Sequence, residues 1–529
     1  MNDRTDLIKL SHIKIELIIC AFVSAILLFL IFNPILNAIG DNAHYINLAR
    51  AIYDGKGLVQ LHTPGNPVET RVAPGFSAIL AGIMAISGNP EPILIFKIFV
   101  AICLWLFLLL TYYFLRKYAE FGIVLSGLIA LFLCFNVHLV WFSYLVITES
   151  VYLLIFAILL ILLFKYNSNP KIGLLAIISL LCAAVPYIRF PAFPFVGAIV
   201  IWLLISRKYR EAIVISVSTL VLFGFWLIPI LFGDKLIYLA QAQQGISVGI
   251  LRRILTNSKV YLFEYIPVFF MPFFRNAIKT HIVLGVISGL TIVGIEIYAA
   301  IADWKNRVTR LMALVALFFL MIDLIWFFSS MRFIAILAVP LIYLFIKGLE
   351  LIMKRLKIER LRKIILAIVI LAMCATAIPG YLDYIKNSRQ ARKVLKKTQP
   401  KISAIIPPSS YPPLVMYYNA LKWCSENTFR DAVLISWETR LTYLIADRPA
   451  LFPRNQTEPD SIWNWILDTP ASYVVLDQFW PNSGDYLYPA MKGYPKCFTV
   501  VYQTPFPPTY VVRIDTSLLR KAMLVKKQR

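Results

Sequence analysis

Charge is what this sequence has least of. Only 15% of its 529 residues are Asp, Glu, Lys or Arg, while 60% are hydrophobic. The mean hydropathy is +0.74. Soluble domains are about a quarter charged, so this scarcity excludes an ordinary water-soluble chain and points to lipid. Other absences narrow the field. No Gly-rich phosphate loop is present, so no nucleotide-binding fold is visible. No Cys/His spacing suits structural zinc. No repeat relates the two halves of the apolar part, as secondary transporters commonly show. Cysteine is sparse and decides little: five of the seven lie in or beside apolar runs. Cys424 and Cys497 lie in the last third, where one disulfide is allowed but not forced. The first apolar run has no small-residue cleavage site and is too long for a signal peptide.

What is there is apolar sequence in long runs. A span needs about 20 apolar residues, fewer where one end is buried in protein. Eleven candidates emerge: Ile15–Leu36, Ile93–Leu115, Ile123–Val137, Ser150–Phe164, Ile172–Tyr187, Pro191–Ile205, Ala212–Phe232, His281–Ala302, Leu311–Phe328, Phe333–Ile346 and Ile364–Ile378. The fold class expected is an α-helical polytopic membrane protein of eleven to thirteen spans. The net charge of +24 is no mark of nucleic acid. With the N-terminus cytoplasmic, the inner segments hold Lys14, Arg116, Lys117, Lys165, Arg207, Lys208, Lys305, Arg307 and the run from Lys347 to Lys363. The short outer turns hold only Arg189 and Arg332. This is the positive-inside bias, and with an odd number of spans it predicts the C-terminal domain outside.

The expected domains are a membrane part, 1–380, and an outer α/β part, 381–529. The membrane part carries a first outer loop, 37–92, and a large outer loop, 233–280. In the first loop "GDNAHYINLARAIYDGKG", Gly40–Gly57, predicts a surface helix N-capped by Asp41, with Tyr45, Leu48, Ala49 and Ile52 on its apolar side. "TRVAPGFSAILAGIMAISG" predicts a second helix starting at Pro74. After the basic, Pro-containing stretch Lys386–Pro413, "YPPLVMYYNALKWCSENT" and "SIWNWILD" read as helices. "DAVLISW", "ASYVVLD", "CFTVVYQT" and "TYVVRID" read as strands.

An ionisable residue at bilayer depth is expensive and hence a functional candidate. Those expected at the outer face are Asp41, His44, Glu69, Arg71, Lys97, Glu149, Arg189 and Arg332. Acids take protons from attacking hydroxyls, and arginines grip phosphate oxygens bidentately. Each also has a plainer role. Asp41 serves as a helix cap, His44 as a surface histidine, and Glu149 as a complement to a helix dipole. Lys97, Arg189 and Arg332 serve as snorkelling anchors. Asp323 and Glu296, inside spans, pair with neighbouring helices. Asp41 and His44 share a helix face at i,i+3.

Five motifs stand in order: "GDNAHYINLARAIYDGKGL", "RVAPGFSAILAGI", "SYLVITESVYLLIF", "YIRFPAF" and "SSMRFIAILAVPLIYLFIKGLE". Together they resemble the C-class membrane glycosyltransferases, in particular the protein O-mannosyltransferase and lipid A aminoarabinose transferase superfamily. The resemblance spans about residues 10–380 and implies Asp41 as general base for an acceptor hydroxyl and Glu149 as the second acid. It implies Arg71, Arg189 and Arg332 as donor-phosphate ligands, with His44, Tyr45 and Glu69 lining the substrate site. The aminoarabinose enzymes have an acid directly before the first basic residue. Here that position is Thr70, and Glu69 stands one place earlier. A divalent metal ion is therefore left open, with Asp41, His44 and Glu69 as candidate ligands.

The activity implied is transfer of a sugar from a polyprenyl-phosphate-linked donor to an extracytoplasmic lipid, glycan or protein. The expected partners are that donor, that acceptor and membrane lipid, with no nucleic acid. The alternatives are a polysaccharide ligase or polymerase using a pyrophosphate-linked glycan, and a secondary transporter.

Overall fold

The computed structural model describes residues 2–36, 40–231, 249–397, 412–454, 458–478, 480–481 and 483–527. The expected loop Gly233–Thr280 lies outside them as far as residue 248, and the stretch Lys386–Pro413 lies outside them over 398–411. The chain divides into two compact units. One comprises Met1–Asn33, Thr70–Phe76 and Phe96–Arg389; the other comprises Pro34–Glu69, Ser77–Ile95 and Gln390–Arg529.

The first unit is helical, and each of the eleven apolar runs lies wholly or mostly on helix. Among the described residues, six helices are long and apolar enough to cross a membrane, or seven if one bent pair counts as a single span. The six are Ile13–Ile31, Ile93–Lys117, Glu149–Ser168, Ile282–Ala302, Arg307–Ile325 and Glu359–Lys393. In lipid every backbone polar group must find an internal partner, which is why apolar runs of this length close into helix. The protein is multi-pass.

Where helices break, a named residue breaks them. Ile123–Phe135 and Val137–Tyr144 meet at 55°. Between them Asn136 accepts from the amides of His138 (3.1 Å) and Leu139 (3.2 Å), and donates to the carbonyl of Phe269 (2.9 Å). The run Phe333–Ile346, expected to be continuous, is instead split into Met331–Ala335 and Ala338–Arg355. Pro340, close behind the break, lacks the amide a continuous helix would use. The spacing Gly285–Gly289 on Ile282–Ala302 lets another backbone approach closely. A Cβ at either position would collide with the carbonyl oxygen of Phe263 or Leu262. From Ile250 to Phe270 the chain is helical, with a wider turn at Tyr261–Tyr265.

Three side chains depart from their expected roles. Lys97 does not snorkel: it is fully buried, and its ammonium donates to the carbonyl of Tyr144. Asp323 and Glu296 are buried, yet Asp323 Oδ2 and Glu296 Oε1 find no hydrogen-bond partner among the described residues.

The second unit contains a five-stranded sheet: β1 Val433–Ile435, β2 Ala450–Leu451, β3 Ala471–Leu476, β4 Phe498–Gln503 and β5 Tyr510–Ile514. The order is β2-β1-β3-β5-β4. β1 runs parallel to β2 and β3, whereas β5 runs antiparallel to β3 and β4. The four strands and two helices expected here are all present. The strand pair Leu434–Ala450 and the helix Thr439–Ala446 carried no clear pattern in the sequence. Trp463, Ile466, Val474, Val512 and Leu519 centre its core. Cys424 and Cys497 are free and buried, and burial pushes the Cys424 thiol up to about 12.

Candidate functional site

The first unit holds one dense charged constellation, built at three helix breaks. Thr148 precedes the helix Glu149–Ser168, so Glu149 occupies its first position, where the dipole favours an acid. The helix Ile172–Ile188 ends just before "RFPAF". Arg189 stands extended at the helix end, ahead of the tight turn Phe190–Ala192 that holds Pro191. Ser330 caps the short helix Met331–Ala335, its hydroxyl accepting from the Arg332 amide at 3.3 Å. Glu149 and Arg332 thus stand in the first turns of their helices, and Arg189 stands just past the end of one.

They converge on one carboxylate. Glu149 is completely buried. Its Oε1 accepts from Arg189 Nη1 at 2.8 Å and from Arg332 Nε at 2.7 Å, with Arg332 Nη2 at 2.5 Å. Oε2 accepts from the Thr148 hydroxyl at 3.3 Å, and that hydroxyl in turn accepts from Arg189 at 3.2 Å. The Arg189 guanidinium lies 6.0 Å over the ring of Phe333. A buried ion is tolerated only when paired and hydrogen-bonded, and here one anion serves two cations.

Arg332 also borders a cavity. The Arg332 side chain is 25% exposed and, with His138, Glu264, Tyr265, Arg275 and Asp383, lines a cavity of about 550 Å³. Glu264 and Tyr265 belong to the segment that Gly285 and Gly289 admit. Cations at the wall of a partly apolar cavity suit an anionic headgroup.

The second unit holds another polar cluster. Gly40, not Asp41, caps the helix Asp41–Tyr53, because Gly40 adopts a φ of 84° that favours glycine. Asp41 is therefore the first helical residue. Burial reaches beyond the apolar stripe of Tyr45, Leu48 and Ala49: Asn42, His44 and Asn47 are buried too. The helix Thr439–Ala446 packs along it. From that helix Arg440 reaches Asp41 at 3.7 Å, and its backbone carbonyl accepts from Asn47 at 2.9 Å. His44 Nε2 meets Glu69 Oε2 at 2.6 Å, and Arg440 Nη1 stands 3.5 Å from His44 Nδ1. Arginine only donates, so Nδ1 is the acceptor and the Nε2 proton goes to Glu69.

The framework as a whole has solved counterparts. Two crystal structures of ArnT from Cupriavidus metallidurans, one bound to undecaprenyl phosphate and one in the apo state, superpose on the chain. Each covers 95% of this chain and 98% of its own, with a TM-score of 0.56 at 10% identity. The fold is that of the C-class glycosyltransferases. No family model matches the sequence, and no curated protein matches it.

At that identity the shared feature is the fold, and residue roles in this chain rest on its own geometry. The structure joins Glu149 to Arg189 and Arg332, and it joins Asp41, His44 and Glu69 through Arg440. Arg71 is exposed ahead of the helix Pro74–Ser87, and Tyr45 is buried. The open metal question meets a poor donor set. His44 is committed to Glu69 and faces a guanidinium, a cation where a second cation would have to sit. Among the described residues no three His, Cys, Asp or Glu side chains gather to hold a metal ion. Sequence reasoning missed Arg440, Thr148, Arg275 and His138. Arg440 lies 396 residues from His44, and no local pattern links such positions.

Proposed function

We propose that this protein is a membrane glycosyltransferase that moves a sugar from a polyprenyl-phosphate-linked donor to an acceptor outside the cytoplasm. The observation that carries the reading is the buried Glu149 clasped by Arg189 and Arg332, with Arg332 opening into a cavity that also presents Arg275. The likeness of the fold to a protein crystallised with undecaprenyl phosphate supports it.

In this reading Arg332 meets the donor phosphate, and charge growing on the leaving phosphate is held by a pre-set guanidinium. Such electrostatic pre-organisation often contributes more to catalysis than any other effect. Arg189 adds positive potential from behind, and Glu149 positions both arginines. The acceptor hydroxyl gives its proton to Asp41, which is partly exposed and paired with Arg440. The new glycosidic bond forms as the bond from sugar to phosphate oxygen breaks, releasing polyprenyl phosphate. Arg71 is a further donor contact, and Tyr45, His44 and Glu69 shape the acceptor side. The N-terminus is cytoplasmic and the α/β part outside, as the positive-inside bias argues.

The test offers the purified full-length protein monophosphate-linked and pyrophosphate-linked polyprenyl sugars. The expected product is free polyprenyl monophosphate, formed only from the first donor. Turnover of the pyrophosphate donor alone would make the protein a ligase or polymerase instead. Solute uptake into proteoliposomes without sugar transfer would make it a transporter. Mass spectrometry of envelope lipids, glycans and proteins, with and without the chain, identifies the acceptor.

A further inference from the structure

A second cavity in the first unit, about 1090 Å³, belongs to neither cluster above. Four cations line it, Arg307, Lys347, Arg362 and Lys363, together with two acids, Glu120 and Glu350. Glu350 is taken: it pairs with Lys347 at 3.2 Å and with Arg362 at 3.4 Å. Neither Arg307 nor Lys363 has an acidic partner within ion-pair distance among the described residues. The lining therefore carries a surplus of two positive charges. Arg307 also opens the 19-residue helix Arg307–Ile325, whose positive dipole end adds to the field.

The other wall is apolar. Ile123, Val124, Ile364 and Ile368 line the same cavity, each more than half exposed. Exposed isoleucine and valine on membrane helices face acyl chains, so the cavity opens towards lipid. A soluble anion would satisfy the cations and leave this wall wet. A zwitterionic lipid would satisfy the wall and leave the surplus charge unmet. One molecule matches both: a lipid with a net negative headgroup and a fatty chain.

We propose that this cavity is a binding site for an anionic phospholipid. Its phosphodiester lies between Arg307 and Lys363, and an acyl chain runs along Ile123, Val124, Ile364 and Ile368. Basic pockets between membrane helices recognise acidic headgroups in this way, at about 1 kcal/mol per cation, or about fivefold in affinity for each.

The experiment is native mass spectrometry of the detergent-solubilised full-length protein, titrated with phosphatidylglycerol or with phosphatidylcholine of the same chains. The wild type should retain phosphatidylglycerol at least tenfold more tightly than phosphatidylcholine. The double variant Arg307→Gln/Lys363→Gln should lose about thirtyfold in phosphatidylglycerol affinity and keep its weak hold on phosphatidylcholine. The charge-conserving pair Arg307→Lys/Lys363→Arg should bind near the wild-type level, which separates loss of charge from misfolding. Equal retention of both lipids by the wild type, or full retention of phosphatidylglycerol by the glutamine variant, overturns the proposal. So does displacement of phosphatidylglycerol by equimolar inorganic phosphate, which would mark the cavity as a free-anion site.

Discussion

Arg332 donates through its Nε to Glu149 Oε1 at 2.7 Å, across 183 residues of sequence. The bond, with Arg332 Nη2 on the same oxygen, holds a guanidinium at a cavity wall in a fixed orientation. Long cationic side chains lose rotamer freedom on binding, and Glu149 removes that freedom in advance.

Arg332→Ala should abolish use of the lipid-phosphate donor while the protein still inserts and melts cooperatively. Arg332→Lys should recover only part of the activity, because an ammonium replaces a two-pronged fork with a point charge. Donor titrations on both variants check this. Unchanged donor kinetics in the alanine variant would leave Arg332 as a Glu149 counterion only.

Glu149→Gln keeps the shape and removes the charge between two guanidiniums. Breaking a buried pair by neutralising one member costs about 3–5 kcal/mol, because the remaining charges stay uncompensated. Thermal unfolding in detergent should show a clearly less stable protein, unlike either Arg332 variant. An equally stable Glu149→Gln protein would mean that water, not Glu149, solvates the arginines.

Asp41→Asn tests the proton acceptor. Gly40 holds the cap position, and the pair of Asp41 with Arg440 at 3.7 Å is partly exposed. Losing its charge at a helix start therefore costs no more than about 1 kcal/mol. Turnover should nonetheless fall on the order of 10²–10⁴-fold, the usual worth of a positioned general base. A folded variant with full turnover would remove Asp41 from the mechanism.

The native thiols of the α/β part should stay silent to a membrane-impermeant maleimide, since Cys424 and Cys497 are buried and only thiolates react readily. Orientation is better read from Phe429→Cys, because Phe429 is 78% exposed on the same part. Labelling of that variant in intact cells is the expected result. Labelling only after lysis would place the α/β part in the cytoplasm.

Sequence by itself determined the elements of this protein. Apolar runs, the helix from Pro74 and the four longer strands all follow from hydropathy and from periods of 3.6 and 2, which are local properties. The start of the helix bearing Arg332 follows from its cap Ser330, again locally. Which charges meet was another matter. Lys97 reads in sequence as a snorkelling cation, and only packing against Tyr144 shows it buried. Asp41 reads as a cap, and only the backbone at Gly40 gives that place to glycine. Arg440 is one arginine among many until the helix Thr439–Ala446 lies along Asp41–Tyr53. Burial and ion pairing are properties of contacts between distant segments. Their energies depend on removal from water, a quantity that exists only once the chain has folded.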